Sequence, residues 1–99
     1  MTAEQKQIMG VYEGAIRFHG AKWEIPLRGV LDSDGFLGAG EGNNVIVDID
    51  MIRRGEALAG FAQVTTPHVS APVAVAARIN LDTIIISGPE FDGRLKLSA

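Results

Sequence analysis

The chain has 99 residues, of which 46% are hydrophobic and 21% are charged, and it carries a formal net charge of -3 and no cysteine. This length predicts a single domain over residues 1–99, and this apolar fraction excludes an intrinsically disordered chain. Without cysteine there is no disulfide framework, no thiolate metal site and no cysteine nucleophile. The negative charge argues against nucleic acid or an anionic membrane surface as a partner, because phosphate binding depends on clustered Lys and Arg.

The first residues, from Thr2 to Met9, have the only helical pattern in the chain. Thr2 is a helix-capping residue with Gln5 three positions later, and Gly10 provides a stop. The segment lacks the basic and apolar blocks of a signal peptide, and no apolar run approaches the roughly 18 residues of a membrane span. We therefore expect a short helical turn within residues 1–9, a cytoplasmic location and no membrane partner.

From Tyr12 onwards the sequence alternates between apolar and polar side chains, which is typical of half-buried β-strands. The clearest case is residues 73–81, where the odd positions are apolar and Arg78 and Asn80 are polar. Pro26 cannot donate a hydrogen bond to a ladder, which predicts that its strand lies at an edge or contains a bulge. The predicted strands are 12–18, 23–31, 36–40, 45–51, 57–64, 73–81, 83–87 and 94–97.

The connections between these strands are short and polar or marked by glycine, whereas a parallel sheet needs crossovers of about a dozen residues. They predict an all-β fold, an antiparallel meander of about eight short strands. We expect a small up-and-down β-barrel, with a two-sheet β-sandwich as the alternative. Closure of the barrel requires residues 12–18 to pair with residues 94–97. Residues 65–72 form the one long loop of this prediction, and such loops often carry function.

Residues 31–42 contain enough carboxylates and glycines to form a calcium loop, a phosphate-binding loop or a hairpin turn. In a calcium-loop register Asp32, Asp34 and Glu41 supply ligands, but the first ligand position falls on a valine. The flanking segments are predicted strands, and the glycines do not open a helix that would bind phosphate. We therefore predict a hairpin turn in which Asp accepts backbone hydrogen bonds and Gly35 adopts a positive φ.

The sequence contains no recognisable set of catalytic or metal-binding residues. No G-x-S-x-G motif presents a serine nucleophile, and His19 and His68 do not have the spacing of metal ligands. Asp48 and Asp50 share one strand face, where solvated carboxylates are the usual outcome. We therefore predict no catalytic residue, no metal, no cofactor and no enzymatic activity.

Three aromatic residues, Tyr12, Trp23 and Phe36, are candidates for lining the interior of a barrel and contacting a ligand. For Trp23 a core position is the favoured interpretation, because it alternates in step with Ile25 and Leu27. The alternating glycines from Gly38 onwards leave room for a ring, such as that of Trp23 or Phe36, to cross their strand.

Three polar residues are candidates for contacting a partner. Arg53 and Arg54 lie at a predicted hairpin tip, where paired guanidinium groups can bind a phosphate or an acidic partner. His68 lies in the predicted loop at residues 65–72, whose prolines lower the entropic cost of displaying the ring.

Small or apolar side chains occupy many strand positions on both faces. Ala74 and Ala76 make the second face of their strand apolar, and Ile85 does the same between Ile84 and Ile86. We interpret this surplus as an assembly surface, so the leading hypothesis is a non-enzymatic protein-interaction module that forms homo-oligomers. The alternative is a carrier of a small apolar ligand inside the barrel, and an enzyme is the third hypothesis.

Overall fold

The computed structural model describes residues 9–20 and 24–98. Each strand within them pairs antiparallel with the next along the chain, and the first also pairs with the last, so the sheet closes into a barrel. The eight strands are β1 Gly10–Phe18, β2 Glu24–Leu31, β3 Gly35–Gly42, β4 Val45–Arg54, β5 Ala57–Thr65, β6 Ser70–Asn80, β7 Thr83–Ser87 and β8 Phe91–Leu97.

This topology confirms the predicted all-β meander and barrel, including the pairing of residues 12–18 with residues 94–97. The alternative of a two-sheet sandwich is wrong. The helical turn predicted within residues 1–9 falls in a segment that lies outside the described residues, apart from Met9.

Inward and outward side chains alternate along the strands, and the inward side chains fill the barrel. On β4, for example, Val47, Ile49 and Met51 are buried while Asp48 and Asp50 are exposed. The interior of an eight-stranded barrel is just wide enough for side chains to fill it. The buried residues form one hydrophobic cluster that runs through all eight strands, and removal of this apolar surface from water is the main term that stabilises the fold.

The ring of Phe36 lies inside the barrel across β2 and β3, where two glycines make room for it. Gly29 and Gly38 are direct partners in the ladder, and a Cβ atom at either position would collide with ring atoms of Phe36. The predicted crossing of a glycine strand by an aromatic ring is therefore confirmed for Phe36.

The turn between β2 and β3 is the predicted hairpin. The Oδ1 atom of Asp32 accepts hydrogen bonds from the N–H groups of Asp34 at 2.8 Å and Gly35 at 3.0 Å. The predicted positive φ of Gly35 is wrong, since Gly35 is absent from the positive-φ residues of the described chain. A Cβ atom at Gly35 would instead collide with the carbonyl oxygen of Met51, so the close approach of β3 and β4 is what requires glycine there.

Pro26 does not lie on an edge strand, because β2 has neighbours on both sides in the closed barrel. The β2–β3 ladder, however, extends only from Arg28 to Leu31. Pro26 lies beyond the end of that ladder and pairs with Ala15 of β1. Its missing N–H group therefore removes no hydrogen bond from the β2–β3 ladder.

The predicted loop at residues 65–72 is wrong in length. Thr65 belongs to β5 and pairs with Ser70 of β6, so only residues 66–69 connect the two strands. Pro72 lies within β6, but the β6–β7 ladder begins only at Ala76. The proline thus sits where β6 has no β7 neighbour, which is why a sequence-based rule against proline in strands does not apply.

Candidate functional site

Large apolar side chains cluster on the outside of the barrel across β2 to β5. The register places Val30 opposite Leu37, Leu37 opposite Asp50, and Asp50 opposite Phe61. Ile52 follows Asp50 by two residues on β4, so it shares the outer face and lies diagonal to Leu37 and Phe61. The exposed fractions of Val30, Leu37, Ile52 and Phe61 are 50%, 62%, 69% and 61%. Large contiguous apolar patches on protein surfaces are often sites of interaction, which makes this surface the candidate site.

Exposed alanine side chains make this surface wider, and they project less far from the strands than the large apolar side chains do. Ala59 pairs with Ile52, Ala74 with Phe61 and Ala76 with Ala59, and these alanines are exposed. A short side chain keeps the surface low, so that a partner can approach the backbone closely. We call the whole surface the outer band, which consists of Val30, Leu37, Ala39, Ile52, Ala59, Phe61, Ala74 and Ala76.

Two shallow grooves cross the outer band, one on each side of Leu37. The first runs between Val11 and Leu37 over the paired glycines of β2 and β3. The second runs between Leu37 and Phe61 and is lined by Asp48 and Asp50. Both grooves open on the outer surface of the barrel, and the large side chain of Leu37 stands between them.

The apolar residues of the outer band surround two carboxylates. Asp48 and Asp50 are exposed on β4, and neither forms an ion pair with any other described residue. Residues 9–20 and 24–98 contain no group of three or more His, Asp or Glu side chains placed to hold a metal ion. Carboxylates surrounded by exposed apolar side chains can bind Lys or Arg of a partner while the partner covers the apolar surface.

Of the aromatic candidates, Tyr12 and Phe36 are fully buried in the core, and Trp23 lies outside the described residues. The hydroxyl group of Tyr12 donates a hydrogen bond to the carbonyl oxygen of Leu81 at 3.5 Å. Burial raises the pKa of Tyr12, and the negative charge of Asp82 raises it further, while the positive charge of Arg53 acts in the opposite direction. Tyr12 and Phe36 are therefore parts of the barrel packing.

Arg53 and Arg54 point in different directions from the end of β4. The Nε atom of Arg53 donates to the carbonyl oxygen of Gly55 at 2.8 Å, and its guanidinium also donates to the carbonyl oxygen of Asp32 at 3.2 Å. These bonds tie together two turns at the same end of the barrel. Arg54 is exposed, and adjacent residues of a strand point to opposite faces, so the two side chains leave β4 on opposite sides.

His68 is exposed in the tight turn formed by residues 66–69. The hydroxyl oxygen of Thr66 accepts hydrogen bonds from the N–H groups of His68 at 3.2 Å and Val69 at 3.1 Å. The N–H group of Thr66 donates to the carbonyl oxygen of Val69 at 2.7 Å. The turn is therefore held by Thr66 as well as by the fixed φ of Pro67.

The sequence pattern alone did not identify the large residues of the outer band. A signal was present, because Leu37 follows the inward-facing Phe36 and Ile52 follows the inward-facing Met51, so strict alternation fails at both pairs. The apolar second face at Ala74 and Ala76 was recognised. Only the register between strands, however, shows that residues from four different strands form one surface.

No family model matches this chain, and neither a curated protein nor a solved structure matches it. In the part of the chain that the structure describes, there is no helix long and apolar enough to cross a membrane. The geometry of the outer band is therefore the basis for a functional proposal.

Proposed function

We propose that this chain is a non-enzymatic assembly module that forms homo-oligomers through the outer band. The observation that carries the proposal is the contiguous exposure of Leu37, Ile52 and Phe61 around Asp50. A second copy that covers these side chains would remove them from water, which is the usual driving force of protein association.

The energy of this contact can be estimated from the exposed side chains. Burial of the exposed parts of Leu37, Ile52 and Phe61 contributes about 1–2 kcal/mol per side chain. Association costs about 4–15 kcal/mol in lost translational and rotational freedom. The three side chains together contribute about 3–6 kcal/mol, which offsets only part of this cost, so a stable contact also needs further buried surface and complementary charges around them.

A carrier of a small apolar ligand is supported less well. Its proposed lining residues Tyr12 and Phe36 are fully buried, and Phe36 fills the space above Gly29 and Gly38. The two grooves beside Leu37 open on the outside of the barrel. These features favour a surface contact over an enclosed ligand.

The test is the oligomeric state of the full chain by sedimentation velocity and native mass spectrometry over a wide range of concentration. We expect the wild type to be oligomeric at micromolar concentration and the double variant Leu37→Ser, Phe61→Ser to be monomeric with an unchanged far-UV spectrum. Val69→Ser is the matched control, because Val69 is 60% exposed in the turn after β5 and lies outside the outer band. A wild type that is monomeric throughout the range would refute the proposal.

A further inference from the structure

A second surface, on the other side of the barrel, carries exposed basic side chains around an apolar residue. The register places Ile85 of β7 directly between Arg78 of β6 and Arg94 of β8. Lys96 follows Arg94 by two residues on β8 and therefore shares its outer face. We call Arg78, Ile85, Arg94 and Lys96 the basic face.

The cationic side chains of the basic face are available to pair with carboxylates of a partner. Within residues 9–20 and 24–98, Arg78, Arg94 and Lys96 form no ion pair, whereas Arg17 and Arg28 are paired with Glu24 and Glu13. Ile85 is 39% exposed at the centre of the face. The outer band has the inverse pattern, with Asp50 at the centre and apolar side chains on both sides.

Resting on the function proposed above, we infer that the partner of the outer band is the basic face of a second copy. The spacing of the charges supports this pairing. Asp48 and Asp50 are two residues apart on β4, and Arg94 and Lys96 are two residues apart on β8, so both pairs span about 7 Å along a strand. When β8 of one copy lies antiparallel on β4 of the other, Arg94 faces Asp50 and Lys96 faces Asp48.

In the same alignment Leu37 and Phe61 meet apolar residues, whereas Ile52, two residues from Asp50 on β4, faces Asp92. Ile85 of β7 is the ladder partner of Arg94, and Leu37 of β3 is the ladder partner of Asp50. When Arg94 lies opposite Asp50, Ile85 therefore lies opposite Leu37. On the other side of these strands, Ala15 of β1 is the second ladder partner of Arg94, and Phe61 of β5 is the second ladder partner of Asp50. Phe61 of one copy therefore lies opposite Ala15 of the next. Ala15 lies in a groove of the surface that also contains Ile85 and Gly93, which gives the large ring of Phe61 a depression to enter.

The two surfaces differ, so the contact is head-to-tail rather than two-fold symmetric. β4 and β8 are four strands apart in the eight-stranded barrel, and the two surfaces therefore point in opposite directions. Each copy keeps one surface free after a contact forms, so the assembly grows beyond a dimer into an open chain of copies. Opposite charges on the two surfaces also make its growth weaken as salt is added.

The test uses variants that each disable one surface. Arg94→Glu should raise the dissociation constant of assembly more than tenfold, because it faces Asp50 of the neighbour with a like charge. Val69→Glu adds a negative charge at an exposed turn residue outside both surfaces and should assemble like the wild type. Mixing Arg94→Glu with the double variant Leu37→Ser, Phe61→Ser should give a one-to-one heterodimer that does not grow, since one intact surface remains on each.

The possible results separate the two proposals. Capped heterodimers in the mixture, together with wild-type species larger than a dimer, support the head-to-tail contact. A wild type that stops at a dimer, with Arg94→Glu still dimeric and no heterodimer in the mixture, overturns the head-to-tail contact but leaves self-association through the outer band intact. A monomeric wild type overturns both.

Discussion

Replacement of Gly38 by alanine should destabilise the barrel because the new methyl group would enter the space of the Phe36 ring. The Cβ atom would lie 2.7 and 2.9 Å from two ring carbons and 3.3 Å from the carbonyl oxygen of Arg28. An ordinary carbon contact is about 3.5 Å, so the ring must move by roughly 0.6 to 0.8 Å within a packed interior. Gly38 has no positive φ, so the effect is steric and not one of backbone strain.

The expected cost follows from two opposing terms. Overpacking of a core lowers the free energy of unfolding by about 1–3 kcal/mol. Replacement of glycine by alanine raises it by about 0.4–1 kcal/mol, because alanine restricts the unfolded chain. We therefore expect Gly38→Ala to lower the free energy of unfolding by about 1–2 kcal/mol, which is roughly 4–16 °C in Tm for a domain of this size. Urea and thermal denaturation at matched protein concentration measure both quantities.

A double-mutant cycle isolates the steric cause. Phe36→Leu removes the ring carbons that the new Cβ would meet, so Gly38→Ala should cost at least about 1 kcal/mol less in that background than in the wild type. Gly40→Ala is the matched control, because its Cβ would collide with the backbone carbonyl oxygen of Pro26 and not with the ring of Phe36. Its cost should therefore be the same with and without Phe36→Leu. Equal costs of Gly38→Ala in both backgrounds would refute the explanation.

Two further predictions concern one end of the barrel. The pKa of Tyr12 in the folded state is raised above the unfolded value of about 10, so the unfolded chain ionises first as the pH rises. The contribution of Tyr12 to the free energy of unfolding is therefore complete below about pH 10 and declines at higher pH. Tyr12→Phe should flatten this decline in the free energy of unfolding, and an unchanged slope would contradict the assignment. Leu81 has a φ of 58° and is 63% exposed, so Leu81→Asn should stabilise by about 0.5–1 kcal/mol in urea denaturation, because asparagine tolerates this region. Leu81→Ala, which keeps the strain, should not stabilise.

The barrel was predictable because its interior imposes strict alternation on the sequence. Residues such as Val47, Ile49 and Met51 must all face inward, so the period of two identifies both the strand and its buried face. The turns were predictable only in part. The Asp32 hydrogen bonds follow from the chemistry of aspartate, whereas the reason for Gly35 is a close approach by Met51 from a neighbouring strand, which no local pattern contains.

The candidate site was less predictable than the barrel because it depends on register. The offsets of β3 and β5 relative to β4 decide whether Leu37 and Phe61 flank the same residue, Asp50, and the sequence of one strand does not contain those offsets. The prolines illustrate the same limit. Pro26 and Pro72 suggested an edge and a loop, but they lie inside strands at places where one neighbouring ladder has ended.

Closure of the barrel also determines how copies of this chain can associate. Open sheets commonly associate by pairing their edge strands through backbone hydrogen bonds, but in this barrel only short stretches, such as β6 before Ala76, lack a neighbouring ladder. Outward side chains therefore provide most of the surface for association, and those of β3 to β5 are apolar around an acidic centre while those of β6 to β8 are basic around an apolar centre. Because the centres of the two surfaces, on β4 and β8, lie on opposite sides of one small barrel, a copy that binds through one surface still presents the other, and assembly by this route has no built-in stop.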